Sequence, residues 1–222
     1  RCINAYEKYE FFGVTAAVHS FCVVDMSNFY LDVIKDRLYC DGAESLSRRS
    51  AQTTIYMILD AMMRLLAPLL SFTSNEVWQD MPHGEGADPR HVMLNDMPKP
   101  NDAMKLSAEE ELRWSNLLRI RDDVNKALEL ARLQFWAEIQ KDAKAAWESV
   151  KGANLAELCI VSELEVSETP VEGWAGESVQ GLTVKVEAST LPKCPRCWTH
   201  SAGIGTDEKH PELCPRCAKA VG

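Results

Sequence analysis

The sequence has no apolar run long enough to cross a membrane. The longest candidate, residues 55–70, is interrupted by Arg64, whereas a membrane-spanning helix needs about 20 consecutive apolar residues. We also expect no secretory signal peptide, because the chain opens on Arg1 with neither an initiator methionine nor the apolar core of such a segment. The opening has the pattern of a helix interior, so we expect a piece of a longer protein. These absences predict a cytoplasmic protein that has no membrane partner.

The chain also lacks an excess of positive charge. It has 24 Lys and Arg residues against 33 Asp and Glu residues, a formal net charge of -9. Such a chain is not typical of non-specific nucleic-acid binding, so any RNA or DNA site must be a local basic patch. Residues 193–219 are one candidate, because basic residues outnumber acidic ones there. Repeats and low-complexity segments are absent too, and 46% hydrophobic residues indicate a globular chain of one to three domains.

Eight cysteines are present, and four of them form a motif near the C-terminus. Cys194, Cys197, Cys214 and Cys217 follow the pattern C-x2-C-x16-C-x2-C, which is typical of a zinc ribbon. Four thiolates complete a tetrahedron around one Zn²⁺ and leave no position for water, so the metal would be structural. Two disulfides are the alternative. The other four cysteines lie scattered in apolar segments, as in reduced cytosolic proteins, which disfavours disulfides.

Helical periodicity dominates the rest of the chain, so we predict a mainly α protein. Apolar spacing predicts a long helix over residues 46–67, which Pro68 ends or kinks. Capping boxes at residues 73–76 and 107–110 predict two further helix starts. The second helix has an apolar stripe that runs to Ile139 and predicts helix as far as about residue 151. Strands are predicted over residues 158–166 and 182–186, with a polar loop between them.

Several segments resemble one enzyme family. Residues 25–39 (DMSNFYLDVIKDRLY) and 118–129 (LRIRDDVNKALE) resemble the anticodon-binding helices of the isoleucyl-tRNA synthetases. Residues 66–78 (LAPLLSFTSNEVW) are similar to the helix–Pro–helix signature of class I synthetases for aliphatic amino acids. The C-terminal CPRCW resembles the zinc finger of the bacterial isoleucine enzymes. Residues 133–157 depart from the family pattern, so their fold is left open.

The resemblance implies a fold, a partner and the role of this segment within a larger enzyme. It implies a helical anticodon-binding domain in residues 1–100, a small α+β linking module in residues 101–189 and a zinc finger in residues 190–222, here called the cysteine module. It also implies tRNA(Ile) as the partner and a monomeric parent ligase that uses ATP. The nucleotide-binding elements HxGH and KMSKS of class I synthetases are absent. We therefore expect no catalytic residue here, and no activity from this segment alone.

Five residues are candidates for contact with tRNA. Arg196 and Arg216 lie inside the cysteine pairs and can reach phosphate or a base edge. Trp198 either stacks on an exposed base or covers the metal site as packing. Lys35 and Arg37 are candidates for backbone contacts, although charged residues on helices are more often simply solvated.

Two other functions remain alternatives. DNA-repair glycosylases of the formamidopyrimidine type end in a closely similar zinc finger, but they need an N-terminal Pro-Glu that this chain lacks. A non-enzymatic zinc-ribbon adaptor that binds protein is the third hypothesis, and the anticodon-domain signatures count against it. Binding of tRNA in preference to DNA or protein would separate the three.

Overall fold

The structure, a computed structural model, describes residues 1–131, 135–140, 144–167 and 172–222. The chain divides into two units, Arg1–Asp102 and Ala103–Gly222. The first unit consists of helices. They are α1 (Cys2–Glu7), α2 (Phe11–Ser20), a π-helical segment (Phe21–Tyr30), α3 (Leu31–Val33), α4 (Lys35–Tyr39), α5 (Leu46–Leu66), α6 (Ser71–Asp80) and a 3-10 turn (Val92–Leu94).

Helix α5 confirms the long helix that apolar spacing predicts in the first unit. The Ser45 hydroxyl accepts a hydrogen bond from the backbone N–H of Arg48 at 3.5 Å and caps its start. The helix ends at Leu66, two residues before Pro68. A buried cluster forms between α5, α6 and the 3-10 turn, and its members are Met63, Ala67, Trp78, Met81 and Val92.

The capping box predicted at residues 73–76 is wrong. Helix α6 begins at Ser71, and Leu70 precedes it without a side-chain cap. Ser74 is buried within the helix, and Asn75 accepts a hydrogen bond from the backbone N–H of Val92 at 3.1 Å. Ser74 and Asn75 therefore make contacts from within the helix, and neither side chain caps its start.

The second unit builds a small sheet on one long helix. A 3-10 turn at Asp102–Met104 lies at the junction of the units. The elements after it are α7 (Ala108–Ala131), β1 (Phe135–Gln140), α8 (Lys144–Val150), α9 (Leu155–Cys159), β2 (Leu164–Ser167), β3 (Trp174–Ala175), β4 (Thr183–Ala188) and α10 (Pro215–Val221). The strand order is β2-β1-β4-β3; β1 runs parallel to β2 and antiparallel to β4. The fold is mainly α, as expected.

The second predicted capping box, at the start of α7, is confirmed. The backbone N–H of Glu110 donates to the Ser107 hydroxyl at 3.3 Å, and the Glu110 carboxylate accepts from the backbone N–H of Ser107 at 2.8 Å. Hydrogen bonds from the Ser107 backbone and hydroxyl to this carboxylate lower the pKa of Glu110. The box pairs N–H groups that every helix start leaves without an intrahelical partner.

The predicted helix over residues 133–151 is wrong at residues 135–140 and correct at residues 144–150. Helix α7 ends at Ala131, and β1 occupies residues 135–140. Apolar residues at 135, 137 and 139 alternate as in a strand, while 135 and 139 are also four apart as in a helix. Strand pairing selects the strand over the helix at these residues, because β1 is hydrogen-bonded to β2 on one side and to β4 on the other. Helix returns in α8, and residues 132–134 and 141–143 lie outside the described part of the chain.

The strand predicted over residues 158–166 is correct only at its end. Strand β2 begins at Leu164, whereas residues 155–159 form the short helix α9. The side chain of Asn154 accepts a hydrogen bond from the backbone N–H of Glu157 at 3.2 Å and caps that helix. The other predicted strand is confirmed as β4. The loop predicted between them contains the two-residue strand β3.

A buried carboxylate attaches the loop before β4 to helix α7. Asp123 is fully buried and accepts backbone N–H groups from Glu177 at 3.1 Å, Ser178 at 2.8 Å and Val179 at 2.8 Å. Arg119, one turn earlier on the same face, donates to the backbone carbonyl of Ser178. The loop therefore has a fixed position on α7.

The cysteine module belongs to the same unit as the sheet. The backbone N–H of His200 donates to the Ser162 hydroxyl at 3.0 Å, in the segment that joins α9 to β2. None of the helices in the described ranges combines the length and apolarity that spanning a membrane requires.

Candidate metal centre and nucleic-acid interface

The two Cys-Pro-Arg-Cys segments adopt different local structures. In the first, the backbone N–H of Trp198 donates to the carbonyl of Cys194 at 2.9 Å, and an antiparallel bridge between Lys193 and His200 closes the turn. In the second, Cys214 precedes helix α10 and Pro215 is its first residue, a position where proline loses no intrahelical bond. One pair therefore lies on a tight turn and the other at a helix start.

The structure brings the four sulfur atoms together. They lie within 4.8 Å of one another, and the Sγ atoms of Cys197 and Cys214 are 3.7 Å apart. Zn–S bonds of about 2.3 Å imply S–S separations of about 3.8 Å across a tetrahedron. Cys194, Cys214 and Cys217 are buried, and Cys197 is half-buried. Donor chemistry and spacing thus fit one Zn²⁺, and none of the eight cysteines forms a disulfide.

Hydrogen bonds favour the thiolate form in the first pair. Burial raises the pKa of Cys194, but backbone N–H donors from Cys197, Cys214 and Arg196 outweigh it and lower this pKa to about 6. Burial likewise raises the pKa of Cys197, and donors from Thr199 and from the Arg216 side chain bring it below its usual value.

The second pair and a distant cysteine behave differently. Burial raises the pKa of Cys214 and of Cys217, and the neighbouring cysteines raise that of Cys217 further. Burial also raises the pKa of Cys159, outside the cluster, to about 12. Within the four-cysteine motif, the pKa is therefore lowered at Cys194 and Cys197 and raised at Cys214 and Cys217.

Trp198 is exposed in a strained backbone conformation. Its φ of 64° lies in the left-handed region, which costs a non-glycine residue about 1–3 kcal/mol. The residue is 68% exposed, so its ring covers little of the metal site. Lys193 Nζ lies 5.3 Å from the ring centroid, a cation–π distance. An aromatic face and a positive charge therefore meet on the surface beside the four sulfurs, and Lys193 is not among the five candidates selected from the sequence.

The two motif arginines differ in their surroundings. Arg196 is half-buried, and its backbone N–H donates to the sulfur of Cys194. Arg216 is exposed on α10, yet its side chain donates to the sulfur of Cys197. Thr199, which the sequence does not single out, donates to the same sulfur.

The remaining two candidates for tRNA contact lie in the first unit, on helix α4. Lys35 forms an ion pair with Asp32 at 2.6 Å, and this hydrogen bond raises its pKa. Arg37 is half-buried. Both residues remain predicted contacts.

Comparison with known protein families identifies the helical part of the chain. The model described as the anticodon-binding domain of tRNA ligase matches residues 1–146. The chain belongs to this family. A second model, described as the zinc finger found in FPG and IleRS, matches residues 192–220, and with the four-cysteine cluster it supports a structural zinc. The anticodon-binding match distinguishes the chain from a glycosylase that shares only the finger.

Curated relatives align with the whole chain. It is 45% identical to an isoleucine–tRNA ligase of Syntrophotalea carbinolica and 42% identical to one of Desulforudis audaxviator, with all of this chain covered in both cases. An isoleucine–tRNA ligase of Syntrophomonas wolfei is 40% identical over the same extent. The chain spans 24–25% of the length of these relatives.

Proposed function

We propose that this chain is the tRNA-binding C-terminal part of a ligase that attaches isoleucine to tRNA(Ile) with ATP. The observation that carries the proposal is the anticodon-binding match over residues 1–146 of a chain that is 45% identical to an isoleucine–tRNA ligase. The chain has neither nucleotide-binding element of class I synthetases. In this proposal ATP and isoleucine bind elsewhere in the ligase, and this part holds the anticodon arm.

The physical role is positioning. Contacts that are distant from the reacting atoms can orient the tRNA acceptor end, so that binding free energy is used to align the reactants. A cytoplasmic location and a monomeric parent enzyme complete the proposal. The four cysteines outside the metal cluster form no disulfide, which supports a reducing compartment. The division into residues 1–100, 101–189 and 190–222 remains a prediction.

Cys194, Cys197, Cys214 and Cys217 would together hold one structural Zn²⁺. Sulfur spacing and the N–H donors to the first pair support this assignment. We expect one zinc per chain by metal analysis. Cys194→Ser should lose it, whereas Cys159→Ser, which changes a cysteine outside the cluster, should retain it. Full zinc content in the first variant would refute the ligand set.

The RNA contact that the geometry supports best is at Trp198. Exposure of 68% leaves the ring accessible, and Lys193 beside it can meet a phosphate while a base stacks on the ring. Arg196 and Arg216 are candidates for phosphate contacts in the same module, and Lys35 and Arg37 in the first unit. A concentrated patch is required because the chain as a whole carries a net charge of -9.

Binding of a tRNA(Ile) transcript to variants of the full chain tests the proposal. Trp198→Ala should weaken binding by about 1–3 kcal/mol with little change in salt dependence, because it removes stacking and not charge. Arg196→Ala should instead reduce the slope of log affinity against log salt by about one if it contacts phosphate. Trp114→Ala is the matched control, since this tryptophan is 43% exposed on α7.

The control measurements decide between the functions. Zinc content must be equal in all variants, so that unfolding of the cysteine module is excluded. A non-cognate tRNA and a DNA duplex with an abasic site serve as competitors. Preference for the abasic duplex would favour a glycosylase-type finger. Absence of tRNA binding by the wild-type chain would refute the proposal.

A further inference from the structure

The first cysteine pair lies on a short hairpin, residues 192–201, here called the tryptophan hairpin. Two backbone hydrogen bonds of 3.0 Å, one on each side, enclose the bridge between Lys193 and His200. In an antiparallel pair enclosed in this way, the two opposite residues direct their own N–H groups away from each other. The backbone N–H of His200 therefore points out of the hairpin and needs an acceptor elsewhere.

His200 makes two hydrogen bonds outside the hairpin. Its backbone N–H donates to the Ser162 hydroxyl at 3.0 Å, and its ring Nδ1 lies 2.6 Å from the carbonyl oxygen of Leu191. Because a carbonyl oxygen only accepts, Nδ1 carries the proton and donates. One bond attaches the hairpin to the segment between α9 and β2, and the other attaches the ring to the residue just before the hairpin.

These attachments bear on the orientation of Trp198, which lies two residues before His200. Its ring is 68% exposed, so the backbone of the hairpin, and not packing around the ring, determines where it points. A metal held by the four sulfurs would attach the hairpin to α10. The bond to Ser162 adds an attachment to a different part of the unit, and two separate attachments restrict rotation that one alone permits.

We propose that Ser162 and His200 are positioning residues for the RNA contact at Trp198. They hold the tryptophan hairpin so that the indole ring and Lys193, whose Nζ lies 5.3 Å from the ring centroid, meet a base and a phosphate in a fixed arrangement. The inference rests on the RNA contact in the proposed function. Its physical basis is preorganisation, because a hairpin that is already ordered loses less conformational entropy when RNA binds.

Binding of a tRNA(Ile) transcript to variants of the full chain tests the inference. One neutral hydrogen bond corresponds to about a fivefold change in an equilibrium constant. Ser162→Ala should therefore weaken binding about fivefold, and Ser162→Thr, which keeps a hydroxyl, should recover most of the affinity. His200→Leu should also weaken binding, whereas His200→Asn retains a donor close to the Nδ1 position and should recover part of it. Ser115→Ala is the matched control, because this serine is exposed on α7 of the same unit.

A double-mutant cycle with Trp198→Ala distinguishes positioning from a general effect on folding. If Ser162 acts through the ring, Ser162→Ala should have no further effect on tRNA binding in the Trp198→Ala background. Zinc content should be equal in all variants. Without RNA, hydrogen exchange at the His200 amide should be about fivefold faster in Ser162→Ala than in the wild type.

The possible outcomes separate this inference from the proposed function. Wild-type affinity in Ser162→Ala, an equal loss in both backgrounds, or unchanged exchange at His200 would overturn the inference. Wild-type affinity in Trp198→Ala would refute the RNA contact itself and the inference with it. A loss in Trp198→Ala without one in Ser162→Ala would overturn the inference alone.

Discussion

Replacement of the buried Asp123 tests how the second unit is held together. Its carboxylate accepts three consecutive backbone N–H groups, two on Oδ1 and one on Oδ2. Asp123→Asn keeps the shape of the side chain and one of its two oxygens. That oxygen can still accept hydrogen bonds from the backbone N–H groups of Glu177 and Ser178. The new amide group then faces the N–H of Val179, so a donor meets a donor in a fully buried position.

The expected loss of stability can be worked out from these three bonds. One buried N–H left unpaired costs about 1–3 kcal/mol, and the two remaining bonds lose the strength that a charged acceptor gives. Asp123→Asn should therefore destabilise the second unit by about 2–4 kcal/mol. Asp123→Ala leaves all three N–H groups without this acceptor and should cost about 3–5 kcal/mol.

Hydrogen exchange at residues 177–179 is the direct measurement. A local loss of about 2 kcal/mol corresponds to exchange about 30-fold faster at these amides in Asp123→Asn. Urea unfolding measured by tryptophan fluorescence gives the accompanying change in stability. Asp122→Asn is the control, because this neighbouring carboxylate is exposed. Unchanged exchange at 177–179 in Asp123→Asn, or equal acceleration in Asp122→Asn, would show that the carboxylate does not anchor the loop.

Three further outcomes are expected. Ser107→Ala removes the hydroxyl that caps α7 and should cost about 1 kcal/mol, with faster exchange at the first amides of that helix. Asp88 has its pKa lowered from 3.8 to about 2 by hydrogen bonds from Arg90, so its contribution to stability is present above pH 3.8 and is lost as pH falls towards 2. Arg90→Gln removes the guanidinium hydrogen bonds, while the backbone N–H of residue 90 still donates to Asp88. Stability measured from about pH 5 down to about pH 2 should therefore lose the larger part of this component in Arg90→Gln. Gly176→Ala places a Cβ 2.6 Å from Asp123 Oδ2, so urea unfolding should show destabilisation of about 2 kcal/mol or more.

The first unit and the cysteine cluster are largely predictable from the sequence because their signals are local. Helix α5 has an apolar period over 21 residues and a serine immediately before its first residue. The four cysteines have a spacing that fits one metal ion, and the fold brings their sulfurs within 4.8 Å of one another. The signal in each case lies in contiguous or evenly spaced residues.

The linking module is harder to predict because strand pairing decides its structure. Residues 135–140 fit both a strand and a helix by periodicity, and the ladder of β1 with β4, a strand distant in the chain, selects the strand. Helix α9 does have a local signal, which the periodicity of its apolar residues obscures. Asn154 and Glu157 form a capping pair, in which the Asn154 amide also donates to the Glu157 carboxylate at 3.1 Å.

The two Cys-Pro-Arg-Cys segments show why an identical motif can have two structures. After the first, Trp198 takes a left-handed conformation and the chain turns back to the bridge at His200. After the second, residues with good helix propensity continue into α10, with Pro215 at its start. The residues after each motif, and not the motif itself, therefore decide its local structure. A glycine in place of Trp198 would close the first turn without strain, and the proposed contact with RNA would give a tryptophan a role at this position.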